Sequence, residues 1–466
     1  MIHLSFLWHL HQPFYLDLVT RRLWMPWVRL HGVKDYTGMA LLLEEFPQIH
    51  ATVNFSPSLI DQILAYGTGA EDAALSVCRK PPADLTEEER RFLRRQLFFA
   101  HPETHIRAIP RFAELQQKER SQASWGDQDY LDLMAVANLS WIHPILRERD
   151  AELRALSAKP RNFTAGERDR ILARHLEIVA AIVPKWRSLR ERGQVEISVS
   201  PYYHPILPLL CDFSSVHDAM PGAPLPSLGR KLFEDAEVQV RRARERGAEV
   251  FGKPPDGAWP SEGSVSPEAC AMLARHGFSW TATDEEILAR SVGPSFDRND
   301  ALYRPHRVGD ISVVFRDQVL SNLVSFTYKM KRPEEAVDDF MGRLDAIGRS
   351  SGEDRLVVVA LDGENPWEHY AGNGVDFLRT LYRRLSDAPN VRTATLSEAV
   401  AKVPARPLHR LFSGSWINHS FSVWAGHDED RQGWELLGRV RDRLPPPARA
   451  PAAWESLYAA EGSDWY

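Results

Sequence analysis

The chain reads as an α/β protein, either a (β/α) barrel or a large open sheet, and three observations carry that reading. Short apolar runs alternate about seven times with helix-like segments. The runs are rich in Val and Ile with little polar alternation, as suits strands of a parallel sheet buried on both faces. At 466 residues, 44% hydrophobic and 26% charged, the chain is long enough for one large barrel with insertions and too apolar for disorder.

In order, the expected strands are His3–Trp8, Ala51–Phe55, Val195–Val199, Gly257–Trp259, Phe278–Ala282, Ser312–Phe315 and Arg355–Leu361, with a weaker one at Val391–Ala394. Between them, spacing predicts helices over Met39–Phe46, Pro57–Ala65, Arg230–Arg246, Pro267–His276, Pro333–Ile347 and Val375–Leu385. One interval breaks the rhythm. From Ala83 to Gly193 only helix-like segments occur, at Glu87–Phe99, Arg111–Gln122, Tyr130–Leu156 and Gly166–Arg192. Residues 83–193 are therefore expected as a helical insertion between strand-bearing parts 1–82 and 194–404. Residues 405–466 are expected to pack back as a C-terminal helical region.

Lys and Arg total 57 against 63 Asp and Glu, a net charge of −6, which disfavours a nucleic-acid partner held through phosphate neutralisation. Cys78, Cys211 and Cys270 are far apart and form no C-x-x-C pair, which argues against a disulfide scaffold and a structural zinc site. No apolar run reaches the roughly 18–20 residues of a membrane span, and the N-terminus lacks a basic leader, so no membrane partner and a cytoplasmic location are expected. Nothing here sets an oligomeric state. The 14 Trp residues are unusual, and several are expected along a ligand groove.

In parallel α/β architectures functional residues gather just past the C-terminal ends of strands. Here the first strand is followed by Trp8-His9-Leu10-His11-Gln12-Pro13, the third by Pro201-Tyr202-Tyr203-His204-Pro205 and the fourth by Trp259-Pro260-Ser261-Glu262-Gly263. The sixth ends in Phe315-Arg316-Asp317 and the seventh in Asp362-Gly363-Glu364-Asn365-Pro366-Trp367. Each residue also has an ordinary reading. An acid after a strand often caps the next helix, Asp362 and Glu364 precede a glycine turn, and Trp259 and Trp416 suit a core. Glu262 resists that reading, because no helix starts before about Pro267.

Two chemistries suit such a rim. In one, two carboxyl groups flank a glycosidic bond, one attacking the anomeric carbon and the other protonating the leaving oxygen. Aromatic platforms with His and Asp hydrogen bonds then hold the sugar. In the other, His9-x-His11 starts a metal site completed by His204 and Asp362, as in metal-dependent barrel hydrolases. The segment Gly348-Arg349-Ser350-Ser351-Gly352 matches G-x-S-x-G but follows a helix and precedes a strand, the reverse of a nucleophile elbow.

Together the segments WHLHQPFY (8–15), SPYYHPILPLL (200–210), WPSEGSVS (259–266), FRDQVLSNLVSFTY (315–328), LDGENPWEHY (361–370) and GSWINHSFSVWAGHDED (414–430) resemble glycoside hydrolase family 57, the α-amylase, amylopullulanase and 4-α-glucanotransferase group. The resemblance implies an incomplete (β/α)₇ barrel, formed by 1–82 and 194–404, and a retaining mechanism on α-glucan or maltooligosaccharide substrates with neither cofactor nor metal. It implies Glu262 as nucleophile and Asp317 as general acid/base. His9, His11, Gln12, His204, Trp259, Arg316, Asp362, Glu364 and Trp416 would line the substrate site. Departures at Asn322, Val324, Ser325, Pro366 and His369 leave the linkage preference, and hydrolysis against glycosyl transfer, open.

Overall fold

The computed structural model describes residues 1–350 and 352–466. Its strands are β1 (Ile2–Leu10), β2 (Ala51–Phe55), β3 (Val195–Val199), β4 (Gly257–Ala258), β5 (Trp280–Asp284), β6 (His306–Val308), β7 (Ile311–Arg316), β8 (Arg355–Asp362), β9 (Val391–Thr393) and β10 (Arg406–Pro407). They form one sheet in the order β10-β6-β7-β5-β4-β3-β2-β1-β8, with β9 beside β1. All pairings are parallel except β6 with β7. The protein is thus mixed α/β with a mostly parallel sheet and many helices.

The period-two alternation of strand side chains separates two cores. On the outer face, Leu4, Phe6, Trp8 and Leu10 of β1, Val313 and Phe315 of β7, and Val357, Val359 and Leu361 of β8 pack with the helices. On the other face Leu7, Trp259, Trp280, Ala282, Val314, Val358 and Ala360 make a smaller cluster. Gly257 is required there, since a Cβ would fall 1.8 Å from the Trp280 ring. Around this cluster the end of β7 meets β8. The Asp317 N–H donates to Val358 O (2.7 Å) and Arg316 Nη1 to Ala360 O (3.3 Å). Thr52, Asn54, Ser198 and Glu196 line the same inner side. Burial pushes the Glu196 carboxyl up, although Ser397, Trp280 and Thr52 all donate to it.

Between β2 and β3 every regular element among the described residues is helical. The single helix expected over Tyr130–Leu156 is three: Asp127–Trp141, Pro144–Arg149 and Ala151–Ala158. Pro144 forces the break, because the residue before a proline is driven from the helical region, and His143 has ψ 137°. Helix starts follow local signals, with capping boxes at Thr86/Glu89, Thr164/Glu167 and Thr395/Glu398. The helix Pro333–Arg349 runs into the G-x-S-x-G match, whose Ser351 lies outside the described residues. After β10 come the helices Ser422–Ala425, Asp428–Arg443 and Pro451–Ala460, and then the tail returns to the strand ends, Gly462 bridging Pro205. No helix among the described residues is long and apolar enough to cross a membrane.

Candidate active site

Register decides which strand-end side chains reach the inner side of the sheet. In β1, His9 follows Leu7 on the inner face, and its neighbour in β8 is Asp362, which follows Val358 and Ala360. Glu262 arrives on the short turn Ser261–Gly263 after β4, with a left-handed backbone (φ +56°). His204, after β3, is left-handed too (φ +60°). Such a conformation costs a side-chain-bearing residue about 1 kcal/mol, and surrounding bonds must hold it. For Glu262 those come from Trp416, whose N–H donates to Glu262 O (3.0 Å) and whose Nε1–H donates to Oε2 (2.8 Å). For His204 they come from the tail, where Ser463 N–H donates to His204 O (2.9 Å).

Three imidazoles pave one side. The rings of His11 and His204 stack with centroids 3.7 Å apart, and those of His9 and His204 with centroids 5.2 Å apart. Burial pushes His9 down to about 3 and His204 well below the usual histidine range, so both are neutral at physiological pH. The hydrogen-bond network then assigns the tautomers. Asn54 Oδ1, which also accepts from Ser200 Oγ, accepts from His9 Nδ1–H (2.8 Å). His9 Nε2 is bare and accepts from His204 Nε2–H (3.2 Å), while His204 Nδ1 accepts from Ser463 Oγ–H (2.9 Å). His11 bridges Ser56 Oγ (2.8 Å) and the Asp464 carboxylate (3.1 Å).

Glu262 and Asp362 are half-buried. Burial is the main cause that raises Glu262 to about 7, with the negative charges of Asp362 and Asp464 adding, while the Trp416 N–H and His11 act the other way. Asp362 is raised too, by burial, against the pull of Asn365, His11 and Arg316. Arg316 lies over the Trp416 ring (4.9 Å) and is tied to Asp284 (2.6 Å). Its charge is therefore largely answered before it reaches the groove.

Two sequence expectations need correction. Asp317 does not pair with Glu262. It continues the outward register of Val313 and Phe315, and its N–H bonds Val358, which lies four residues and about 13 Å along β8 below Asp362. Its carboxylate is 1% exposed; it is ion-paired with Arg298 (2.9 Å), accepts from Tyr303 OH (3.1 Å) and caps the helix Gln318–Asn322 through Leu320 N–H (2.9 Å). Trp259 is not a groove platform either. It is 0% exposed, wedged under Trp416 (ring centroids 5.0 Å) in the inner cluster, where the strand-end turn leaves it no opening.

The remaining expected residues divide. Trp416, partly exposed, is the aromatic that meets Glu262. Glu364 is buried beneath the rim, its carboxyl pushed well above the usual range by burial, and its Oε1 accepts from Gln12 Nε2 (3.2 Å), Tyr36 OH (3.4 Å) and His11 N–H (3.4 Å). It anchors the His11–Gln12 turn. Sequence reasoning missed Asn54, Ser463 and Asp464. Asn54 carried a signal, as a polar residue alternating with the apolar Ala51, Val53 and Phe55 of β2 at its C-terminal end; Ser463 and Asp464 carried none.

The donor atoms of His11, His204 and Asp464 lie within 4.8 Å of one another, the one metal-capable set among the described residues. It fits an ion poorly. Both His204 nitrogens are engaged, and the stacked rings aim their donors in parallel, whereas a tetrahedral ion needs them convergent.

A sequence profile for Glycosyl hydrolase family 57 matches residues 5–411. The chain belongs to Glycosyl hydrolase family 57. A family relative, the 4-alpha-glucanotransferase of Thermococcus kodakarensis, is 26% identical over 243 residues, covering 50% of this chain and 32% of the relative. The alpha-amylase of Pyrococcus furiosus is 26% identical over 246 residues, with the same coverages of 50% and 32%. The family 57 chain thus spans about a third of the length of these curated relatives. Among solved structures, the GH57-type branching enzyme from Pyrococcus horikoshii superposes with a TM-score of 0.64 at 16% identity, over 99% of this chain and 84% of that one. The alpha-amylase AmyC from Thermotoga maritima gives 0.59 at 14%, over 99% and 87%. At such identities the likeness is one of fold.

Proposed function

We propose that this chain is a retaining glycoside hydrolase that cleaves α-1,4 glucosidic bonds of α-glucans, with Glu262 as nucleophile and Asp362 as general acid/base. The observation that carries the reading is the pair itself: two half-buried carboxyls at the same rim, each raised by burial, with Asp362's charge felt at Glu262. Burial and like charge at one rim favour keeping a proton on one of the two. Retention needs one carboxylate to attack and one acid to protonate the leaving oxygen. The Trp416 N–H on Oε2 stabilises the Glu262 anion. Asn365 orients Asp362 by donating to Oδ2 (3.0 Å).

In the first step Glu262 attacks the anomeric carbon from the β face while Asp362 gives its proton to the departing oxygen. In the second, Asp362 takes a proton from water, which displaces Glu262 and restores the α configuration. A second glucan hydroxyl in place of water gives transfer, the activity named for the Thermococcus relative. His11 and the neutral His204 would meet sugar hydroxyls, as hydrogen-bonding groups held rigid by Asn54, Ser463 and Asp464. We read residues 1–82 and 194–404 as an incomplete (β/α)₇ barrel, 83–193 as a helical insertion and 405–466 as a region closing one side of the site. The three buried, unpaired cysteines are in keeping with a cytoplasmic setting.

Incubating the purified protein with maltoheptaose and following the anomeric protons by NMR tests the reading. New reducing ends are expected in the α configuration before mutarotation. Shorter products alone indicate hydrolysis, and longer ones indicate transfer. No turnover of any α-glucan, or products that appear first as the β anomer, would overturn it.

A further inference from the structure

The strand-end rim continues into a cleft that the two carboxyls do not occupy. It is a cavity of about 440 Å³, within the range of small-molecule sites, between the helical segments and the end of β8. Its walls are unlike. One side is aromatic: Trp27 packs against Phe99 (ring centroids 5.3 Å) and Trp141 (6.1 Å). Trp141 is buried, stiffened by Lys34 over its ring (4.9 Å), whereas Phe99 is 69% exposed and meets Trp27 with only part of its ring. The polar part of the lining is Gln12, His31, His101, Asn365 and Glu368. Asn365 belongs to both places, because it lines the cleft and its Nδ2–H donates to the Asp362 carboxylate.

A lining that combines rings with amide, imidazole and carboxylate groups matches the pyranose ring, which presents C–H faces and hydroxyl edges. The occupant follows from continuity. A chain whose scissile bond lies at Asp362 passes Asn365 and enters this cleft next. We propose that the cleft is a distal glucan subsite in which Phe99 and Trp27 stack on glucosyl units of the chain being cleaved, so that it sets the preferred length of the substrate. This inference rests on the reading of the site as a glucan-cleaving one.

The test compares kcat/KM for maltoheptaose with that for a short activated aryl α-maltoside, in wild type and in Phe99→Ala. Phe99 is exposed, so its loss spares the fold, and a melting curve checks this. The ratio of the two values should fall about tenfold in Phe99→Ala, the usual scale for truncating an aromatic anchor. Trp27→Ala should lower the ratio further. Binding of maltoheptaose to the Glu262→Gln protein, read by calorimetry, should weaken by a similar factor when Phe99→Ala is added. An unchanged ratio with unchanged binding would overturn the subsite and leave the active-site reading standing. A wild type that turns over neither substrate would overturn that reading itself.

Discussion

Asp362 and Asp317 both follow a strand of the same sheet, yet they meet opposite surroundings. Asp362 ends the inward register of β8, with Glu262, His11 and Asn365 around it, and burial raises its affinity for a proton. Asp317 ends the outward register of β7. Arg298, Tyr303 and the Leu320 N–H engage its carboxylate, and its backbone N–H ties the end of β7 to β8. A carboxyl with few partners is free to move a proton, and one tied into an ion pair and a helix cap holds the fold together. The inner corner gathers left-handed backbone and shifted acids.

Glu262→Ala and Asp362→Ala should each lower kcat on maltoheptaose by about 10⁴-fold or more, with melting temperatures close to wild type. At the other corner the pattern reverses. Asp317→Ala removes a buried ion-pair partner and a helix cap, so chemical unfolding should show a loss of about 3 kcal/mol, while kcat of the folded fraction stays within a few-fold. Asp317→Ala inactivity in a fully folded protein would erase the distinction.

A smaller effect follows from pH. Glu262 binds its proton more tightly in the folded chain (to about 7) than in the unfolded one (4.5). Its contribution to stability is therefore complete below about pH 4.5 and is lost as pH rises through 7. Glu262→Gln escapes that loss. Its stability relative to wild type should rise by about 2 kcal/mol, after allowance for partial exposure, between pH 4.5 and 8 in denaturation curves. A flat difference would place the proton elsewhere. The smallest effect concerns His11, His204 and Asp464: exhaustive chelation should change neither kcat nor melting temperature. Activity lost on chelation and restored by zinc would turn the imidazole stack into a metal site.

Much of the scaffold is legible from local chemistry. Ala51–Phe55 and Val195–Val199 stand where their β-branched runs put them, and the capping boxes mark their helices. β6, His306–Val308, was not legible: it has no apolar run and exists because β7 pairs with it. In the site, His9, His11, His204, Glu262 and Asp362 stand out as reactive types at strand ends. Asp317 was misplaced although a signal existed, since alternation along Val313-Val314-Phe315-Arg316-Asp317 sends Asp317 outward with Val313 and Phe315. Its partner Arg298 comes from a separate helix, which no spacing announces. Asp464 reaches His11 across 453 positions, carried by a tail whose return is purely tertiary.

The assignment of Asp362, and not Asp317, as the partner of Glu262 is tested with α-maltosyl fluoride, whose leaving group needs no protonation, in the presence of azide. Asp362→Ala should form the glycosyl-enzyme and then stall, for want of a base toward water. Azide, which needs none, should release it as the α-glycosyl azide. Asp317→Ala should yield ordinary products and no azide adduct beyond the wild-type level. An α-glycosyl azide from Asp317→Ala, with unimpaired turnover by Asp362→Ala, would contradict the account.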